Sequence, residues 1–388
     1  MQGNTRVPSG PEVSRQVDFK TRTVFGPACC IPVVLLLAIG RTWVVGLGTY
    51  TLECGNYSDG VLVLLKLFSL SLLFVFSAAV GAEEIDGESF SAYVAEVRVE
   101  ALSRGIKAET LDVAFVGVEP DPRVITFDRR QPEFVQSFAQ YLELRVSEAR
   151  IRQAREYYAA EKVLLDEIGD AYGVDGEYLV AFWGLETNFG RYQGKYDIVR
   201  SLATLGHDVR RSEFFTKELY AALRILDEGH VSKESFVGGW AGAMGQNQFM
   251  PSTFVGYAVD YDGDGRKDIW GNKKDVWASI ANYLQRHGWR KDVGWGFKVD
   301  ATSVFPPPGD VAAGCRALRH HSEKLTLREW RAMGVDVDGS DSDETYALIK
   351  RADGDQSSYL VGGNFRAILS YNCANKYAVS VGLLADLI

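Results

Sequence analysis

From residue 133 onward, hydrophobic residues recur mostly at helical spacing. Within residues 133–168, Phe134, Phe138, Tyr141 and Leu142 stand three or four places apart, with charged residues between them. This spacing puts the apolar side chains on one face and predicts a long amphipathic helix. Similar patterns predict helices at residues 177–187, 213–228, 275–287 and 376–387. We expect the last of these helices to return to the core.

The β-structure indicated by the sequence is small. Residues 346–349 and 359–361 are short alternating segments that predict strands. Glycine-rich loops are predicted at residues 238–245 and 262–271, and the sequence PPPG at 306–309 marks a boundary. The predicted fold class is therefore mainly α (α+β) with a small β element.

The amino-terminal region has a different pattern. Residues 61–82 read VLVLLKLFSLSLLFVFSAAVGA, a long apolar run with one lysine and with small residues at Val80 and Ala82. This order is typical of a secretory signal peptide with a small-x-small cleavage site. Its length would also allow a retained membrane-spanning anchor, but the cleavage-site pattern favours removal. We expect export to the periplasm or cell envelope, with the membrane involved only through this signal.

Residues 1–60 are not needed by a signal peptide that starts at residue 61. They hold a second apolar stretch, at about residues 31–45, which Arg41 interrupts. We predict that residues 1–60 are an extension created by an upstream start codon, and that the mature domain spans residues 83–388. Sequencing the amino terminus of the native protein would test this prediction.

The five cysteines fall into two groups. Cys29, Cys30 and Cys54 do not follow an apolar run with the small residues that a lipid-anchor site needs, so no lipid anchor is expected. Cys315 and Cys373 lie in the predicted mature domain, and an even number of cysteines in an exported protein permits a disulfide. The sequence alone leaves open whether the two approach each other.

The composition is that of a globular protein and excludes one class of partner. Hydrophobic residues make up 46% of the 388 residues, which is enough for a sizeable core. The net charge is −9 and no basic block is present, so nucleic acid is not an expected partner. Aromatic residues make up 12%, and such rings suit ligands such as sugars, which combine apolar faces with polar groups.

Glu186 is the strongest catalytic candidate. In the predicted helix GEYLVAFWGLE, Leu179, Phe182 and Trp183 share one face, and Glu186 falls on that same face. Burial disfavours the charged form of a carboxylate, which is how a glutamate becomes a proton donor near neutral pH. The alternative is a surface glutamate near a helix end, and position alone does not decide between the two.

Four motifs carry a family resemblance. They are GLETNFG at 184–190, GWAGAMGQNQFMPST at 239–253, SIANYLQRHGW at 279–289, and YN at 371–372 followed by KYAVSVGLLADLI. In this order they resemble the lytic murein transglycosylase B family over most of residues 100–388. The resemblance implies a lysozyme-like catalytic core with additional helices. It also implies cleavage of the β-1,4 bond between N-acetylmuramic acid and N-acetylglucosamine, with a 1,6-anhydromuramoyl product.

The resemblance further implies that Glu186 acts alone as acid and base. Most glycosidases use two carboxylates, with substrate-assisted enzymes as an exception. In this family the substrate's own N-acetyl oxygen is thought to stabilise the anomeric centre, and the glutamate then activates the sugar's 6-hydroxyl. No cofactor is required for this chemistry. The implied partner is the glycan strand of peptidoglycan, and protein partners stay unknown.

The same matches imply substrate-binding residues. Gln248, Phe249 and Met250 correspond to residues that line the family's groove, and Gln248 offers donor and acceptor groups to an N-acetyl group or a hydroxyl. Tyr371 and Asn372 correspond to the family's carboxy-terminal contribution to the cleft, with Asn372 a candidate for orienting the N-acetyl group.

Four further residues have strong structural alternatives. Arg210 and Arg211 resemble a pair that meets the sugar acid or the peptide stem, and solvated surface charge is their alternative role. Tyr192 and Tyr196 could stack on sugars, with core packing as the alternative. Asn247 stands where many relatives have a smaller residue, which leaves the shape of the adjoining subsite open.

A separate signal is the acidic sequence DYDGDGRKDIWG at residues 260–271. Its acidic residues match the start of a calcium-binding EF-hand loop, namely Asp260, Asp262, Asp264 and Asp268. The twelfth place normally carries a bidentate glutamate but is Gly271 here, and Asp275 lies too far along for a regular loop. Two interpretations therefore stay open, a weak calcium site or a tight Asp-Gly turn.

Two other functions fit parts of the sequence. A hydrolytic muramidase would use the same Glu186 but would add water, with a second carboxylate or a placed water. A non-catalytic peptidoglycan-binding protein would have little reason to keep a carboxylate on an apolar helix face.

Overall fold

The computed structural model describes two early strands and most of the chain from residue 87 onward. The described residues are 33–39, 42–48 and 87–388, without 131–135, 292, 302, 303, 305, 308, 310–313, 340, 341 and 350–357. The chain divides into two compact units, residues 1–76 and 77–388. In the first unit, strands β1 (Val33–Ile39) and β2 (Thr42–Gly48) form an antiparallel hairpin.

The second unit is mainly α-helical. Its helices are α1 (Gly87–Ser103), α2 (Ala108–Phe115), α3 (Pro122–Arg130), α4 (Phe138–Arg145), α5 (Glu148–Tyr172), α6 (Gly176–Thr187), α7 (Ile198–His207), α8 (Ser212–Asp227), α9 (Pro251–Tyr257), α10 (Lys273–Arg286), α11 (Leu327–Ala332), α12 (Gly363–Tyr371) and α13 (Asn375–Asp386). Within the described residues, no helix combines the length and the apolar character needed to cross a membrane.

The β-structure of this unit consists of one short pair and one small antiparallel sheet. The pair joins β3 (Tyr196–Asp197) to β4 (Val237–Gly238). The sheet contains β5 (Gly296–Val299), β6 (His321–Thr326), β7 (Thr345–Ile349) and β8 (Ser358–Val361), in the order β5-β8-β7-β6. A separate hydrophobic cluster that includes the buried Trp330 packs with this sheet, so the β element has a small core of its own.

Helix α6 belongs to the main core. It packs against α5, α10 and α13, and all of its residues except Glu177 and Glu186 are buried. A helix that is apolar on every side belongs inside a core. The expectation of a single buried face is therefore too narrow, and Glu186 is a polar interruption near the end of a central helix.

The structure confirms most of the predicted elements and divides one of them. The helices predicted at 177–187, 213–228, 275–287 and 376–387 correspond to α6, α8, α10 and α13, and the two predicted strands correspond to β7 and β8. The single helix predicted at 133–168 is two helices, α4 and α5. The break occurs because the Ser147 side chain accepts a hydrogen bond from the Arg150 N–H and starts a new helix. Phe134 and the signal sequence at 61–82 lie outside the described residues.

Candidate active site

The chain turns sharply where α6 ends, just after Glu186. Asn188, Phe189 and Gly190 have positive φ angles of 51°, 61° and 79°. Gly184 permits the turn, because a Cβ atom there would lie 2.7 Å from the Phe189 ring. Non-glycine residues in left-handed conformations are costly and cluster at functional sites. The motif GLETNFG thus encodes the local structure that ends the helix beside its carboxylate.

Gln246 fastens this turn to the glycine-rich loop at residues 239–250. Its side-chain oxygen accepts a hydrogen bond from the Trp183 indole N–H at 2.7 Å, and its backbone oxygen accepts one from the Thr187 hydroxyl at 3.1 Å. Trp183, Thr187 and Gln246 are all buried. Buried, satisfied polar groups hold their geometry tightly, so Glu186 has a fixed place relative to the loop.

Glu186 lines a cavity of about 400 Å³. The lining residues are Gln136, Tyr141, Arg145, Leu185, Glu186, Gln248, Asn372 and Tyr377. The structure therefore brings together Glu186, Gln248 and Asn372, three of the residues predicted from the sequence, from three separate segments. Glu186 is half-buried and supplies the carboxyl group of this lining.

Tyr377 holds the Glu186 carboxylate. Its hydroxyl donates a hydrogen bond to Glu186 Oε1 from the first turn of α13. Burial, together with the negative charge of Glu186, raises the pKa of the Tyr377 hydroxyl well above its usual value of 10. The hydroxyl therefore keeps its proton and remains a donor throughout the neutral pH range.

Tyr371 supports the loop that carries Gln248. Its hydroxyl donates to the Asn247 backbone oxygen at 2.6 Å, and its ring centroid lies 4.7 Å from that of Phe182. Burial, reinforced by the charge of Glu186, raises the pKa of the Tyr371 hydroxyl well above its usual value. Because this hydroxyl is already bound within the protein, Tyr371 supports the loop, and its direct contact with the glycan stays a prediction.

Phe249 was expected to line the groove, but the structure buries it. Only 2% of its surface is exposed, and its ring packs against Tyr371 at 5.6 Å and against Tyr283 at 5.7 Å. A ring in the core cannot line a groove, so Phe249 holds Tyr371 in place instead. Met250 is half-buried at the start of α9 and lies outside the cavity lining.

Gln248 presents an acceptor to the cavity. It has a left-handed backbone with φ of 50°, and its amide Nε2 donates to Gly245 O at 2.9 Å and to Gln193 O at 3.1 Å. Because both amide hydrogens are used, the side-chain oxygen is the group left for a ligand. The expectation that Gln248 offers donor and acceptor alike is corrected to an acceptor role.

Asn372 lies at the exposed end of α12, on the rim of the cavity. Its side chain makes no hydrogen bond to the part of the chain that the structure describes. The next residue, Cys373, forms a disulfide with Cys315. The structure therefore provides the pairing that the sequence left open.

Tyr192 and Tyr196 lie outside the cavity lining. Tyr192 is 73% exposed, and its role in sugar stacking stays a prediction. The ring of Tyr196 meets Phe127 edge-on at 6.2 Å, and Phe127 lies 6.2 Å from Trp240. Tyr196 thus belongs to an aromatic cluster with Phe127 of α3 and Trp240 of the 239–250 loop.

Arg210 and Arg211 share one carboxylate. Both guanidinium groups bind Asp128, at 2.8 and 2.9 Å, and Asp128 is 5% exposed. Arg210 also binds Asp208 at 3.0 Å. The shared carboxylate fixes the direction of both arginines but leaves them outside the cavity lining, so their contact with substrate stays a prediction.

The acidic loop at residues 260–271 brings several carboxylates together. Oxygen atoms lie within 4.8 Å of one another in Asp260, Asp262 and Asp264. Asp275 is fully buried and accepts the N–H groups of Tyr261 and Asp268, at 2.8 and 2.7 Å. Three carboxylates within reach of one ion fit calcium. Asp275 is not among the carboxylates that lie within reach of one another, so the loop lacks a strong additional ligand.

Five cavity-lining residues were not among the predicted site residues, namely Gln136, Tyr141, Arg145, Leu185 and Tyr377. The sequence could have indicated Tyr377, because this residue lies in the first turn of the helix that was expected to return to the core. Tyr141 and Arg145 lie on α4, and nothing in the local pattern marks them. They reach the site only through tertiary packing.

Comparisons with known proteins agree with this geometry. The family model described as Transglycosylase SLT domain matches residues 89–386. Membrane-bound lytic murein transglycosylase B of Escherichia coli (strain K12) is 34% identical over 225 residues, which are 57% of this chain. The match spans 59% of that relative's own length.

Two solved structures are similar over most of the chain. SltB3 from Pseudomonas aeruginosa, in complex with NAG-NAM-pentapeptide, is 42% identical with a TM-score of 0.70, covering 77% of this chain and 79% of that one. Soluble lytic transglycosylase SltB1 from the same organism is 32% identical with a TM-score of 0.65, covering 76% and 97%. The expected mainly α fold with a lysozyme-like core is thereby confirmed. The chain belongs to the lytic murein transglycosylase B family, within the transglycosylases that share the SLT domain.

Proposed function

We propose that this protein is an exported peptidoglycan lytic transglycosylase in which Glu186 is the single catalytic acid and base. The observation that carries the proposal is the cavity lining. Glu186 is its carboxyl group, and no second Asp or Glu lines the cavity among the residues that the structure describes. A glycosidase that adds water generally needs two carboxylates, whereas an enzyme that uses groups of its own substrate does not.

The first step of the proposed reaction releases the next sugar. Protonated Glu186 gives its proton to the glycosidic oxygen while the bond to the anomeric carbon breaks. The carbonyl oxygen of the muramic acid's N-acetyl group attacks that carbon and closes an oxazolinium ring. Asn372 and Gln248 both line the cavity. In this proposal, Asn372 orients the N-acetyl group and the Gln248 oxygen accepts a hydrogen bond from an N–H or a hydroxyl of the substrate.

The second step returns the proton to the enzyme. Glu186 is now charged and takes the proton of the sugar's 6-hydroxyl, and that oxygen attacks the anomeric carbon. The oxazolinium ring reopens, the product carries a 1,6-anhydro bond, and Glu186 ends protonated without consuming water. Tyr377 suits this cycle because its hydroxyl donates to Oε1 and stabilises the charged carboxylate that forms between the two steps.

The substrate class and location follow from two lines of support. SltB3, which is 42% identical, is described in complex with NAG-NAM-pentapeptide, and we extend this ligand class to the present chain. The signal peptide predicted at residues 61–82 would deliver the protein to the periplasm, where peptidoglycan lies.

In this proposal, calcium takes no part in the reaction. When bound, it would be held by Asp260, Asp262 and Asp264, with Asp268 as a further carboxylate of the loop, and it would neutralise their mutual repulsion. We propose this loop as a weak structural site. The catalytic steps depend on the cavity residues alone.

The products of digestion test the proposed function. Purified sacculi are digested with the protein, and the released muropeptides are identified by mass spectrometry. The proposal expects anhydro-muropeptides. Reducing-end muropeptides alone would assign the chain to the hydrolytic muramidases, and binding without any release would assign it to non-catalytic peptidoglycan-binding proteins.

A further inference from the structure

The segment between α12 and α13 carries a cavity residue and a disulfide side by side. Asn372, Cys373 and Ala374 are the three residues that separate the two helices. Asn372 lines the cavity, and Cys373 is bonded to Cys315. Because Asn372 and Cys373 are joined by one planar peptide unit, the bridge limits how far the Asn372 backbone can move.

Cys315 anchors this bridge in the small sheet. It precedes the short helix Arg316–His320, which leads directly into the edge strand β6. The two cysteines are 58 residues apart in sequence. A second contact runs beside the bridge, since the Asn375 amide donates to Ala317 O at 3.1 Å and accepts from His321 Nε2 at 2.9 Å. The small sheet therefore holds the segment at two points.

The two cavity residues at this end of the chain depend on the bridge to different degrees. Tyr377 is buried and packs against Phe182, so the core holds it in place. Asn372 is exposed and has no side-chain hydrogen bond to the described chain, so its direction rests on the backbone of the segment. The N–H of Asn372 also binds Ile368 O at 3.2 Å, so the end of α12 and the bridge together hold this residue, and of the two cavity residues Asn372 depends more on the bridge.

We infer that the Cys315–Cys373 disulfide is a positioning element that aligns Asn372 with the substrate's N-acetyl group, so that the enzyme reaches its full rate only with the bridge closed. The inference rests on the proposed function. Cys373 is exposed and Cys315 is half-buried, so a reductant in solution has access to the bridge. A bridge of this kind persists in oxidising compartments such as the periplasm, which links full activity to export.

The bridge is opened by a dithiol. Dithiothreitol gives up two electrons and two protons and becomes a cyclic disulfide, and Cys315 and Cys373 become thiols. The test compares the oxidised full-length protein, the reduced protein and the variant Cys315→Ser/Cys373→Ser. For each form, kcat and KM are measured on solubilised glycan strands, together with the Kd of a thiazoline mimic of the oxazolinium state. All measurements are made well below each form's melting temperature.

We expect reduction to lower kcat about fivefold and to weaken binding of the mimic by a similar factor, as for one misaligned hydrogen bond. The double serine variant should behave like the reduced protein and should not respond to dithiothreitol. It keeps Cys29, Cys30 and Cys54, and thus controls for reduction elsewhere in the chain. Should the open forms unfold, the comparison is made in sucrose, which favours the folded state.

Asn372→Ala separates alignment from general stability. If the bridge acts through Asn372, reduction in the Asn372→Ala background should change kcat by less than about twofold. The inference is overturned if reduction lowers the melting temperature but leaves kcat and the mimic's Kd unchanged. It is also overturned if reduction costs as much in Asn372→Ala as in the wild type. An oxidised wild-type protein that releases no anhydro-muropeptides would sink the proposed function instead.

Discussion

The two sides of the catalytic cavity are built in different ways. On one side, Glu186 stands at the end of α6, which is buried on almost every face and is bound to the 239–250 loop through Gln246. On the other side, Asn372 stands on a short exposed segment that a disulfide and an asparagine hold to the small sheet. Core packing therefore fixes the proposed acid and base, whereas a few surface contacts fix the residue proposed to orient the substrate.

Substitutions on the two sides of the cavity should therefore have different effects on activity. A group held by many buried contacts keeps its position when one contact is lost, but a group held by a few exposed contacts does not. Changes at the Glu186 side should act on proton transfer under all conditions. Changes at the Asn372 side should act on alignment and should respond to the state of the bridge.

Replacing Glu186 with glutamine should have the largest effect. The amide has nearly the same shape and can still accept the Tyr377 hydrogen bond, but it cannot exchange a proton. Turnover should fall by at least ~100-fold while glycan binding persists. Rates of anhydro-muropeptide release measure the first quantity, and co-sedimentation with sacculi measures the second. Glu213→Gln is the matched control, because Glu213 is an exposed glutamate bound to Lys217. Near-wild-type turnover in Glu186→Gln would remove Glu186 from its role.

Tyr377→Phe should have the next largest effect. A hydrogen bond to a charged group contributes about 1.5–3 kcal/mol, so the rate should fall roughly tenfold or more. In the wild type, the Tyr377 hydroxyl stabilises the charged form of Glu186. Without this donor, Glu186 should stay protonated to higher pH, so the basic limb of the kcat/KM profile should move to higher pH. Tyr93→Phe serves as the control, since its hydroxyl binds Thr216 at 2.8 Å outside the cavity. An unmoved basic limb would show that Tyr377 does not govern the protonation of Glu186.

Asn372→Ala should have a smaller effect of a different kind. Losing one neutral hydrogen bond costs about 1 kcal/mol, so the rate should fall roughly fivefold with the same anhydro product. In the wild type, the thiazoline mimic should bind more tightly than a plain N-acetylated sugar of the same size, because it resembles a state bound more tightly than the substrate. Titration calorimetry on both proteins measures this preference. Equal binding of the two ligands by the wild type, with reducing-end products, would point to a muramidase with a second carboxylate.

How far the sequence could predict this site depends on how local each determinant is. The turn after Glu186 is encoded within GLETNFG, and α6, α8, α10 and α13 begin within two residues of their predicted starts. The break between α4 and α5 was missed because a single capping serine decides it. Family motifs indicated that Phe249 lies near the groove but could not tell a supporting ring from a lining one. That distinction depends on packing against Tyr371 and Tyr283, which come from distant parts of the chain.

Calcium should have the smallest effect, because Asp260, Asp262 and Asp264 lie outside the cavity lining and are proposed to form only a weak site. Stabilisation grows with the logarithm of ligand concentration over Kd, so a weak site shows little at micromolar calcium. Burial, together with the charges of Asp262 and Asp260, raises the pKa of Asp275, which marks this loop as crowded with negative charge. Thermal unfolding in micromolar calcium should therefore match unfolding in a chelator. A large rise in melting temperature that Asp262→Asn abolishes would contradict this and would bring in Asp275 as a ligand.

We propose that Glu186 drives cleavage without adding water, and digestion of sacculi in water enriched in a heavy oxygen isotope distinguishes this reaction from hydrolysis. In transglycosylation the new bond at the anomeric carbon uses the sugar's own 6-hydroxyl oxygen. Mass spectrometry should therefore show anhydro-muropeptides without heavy oxygen, and Glu186→Gln should release none above background. Reducing-end muropeptides that carry heavy oxygen at the anomeric carbon would contradict the claim.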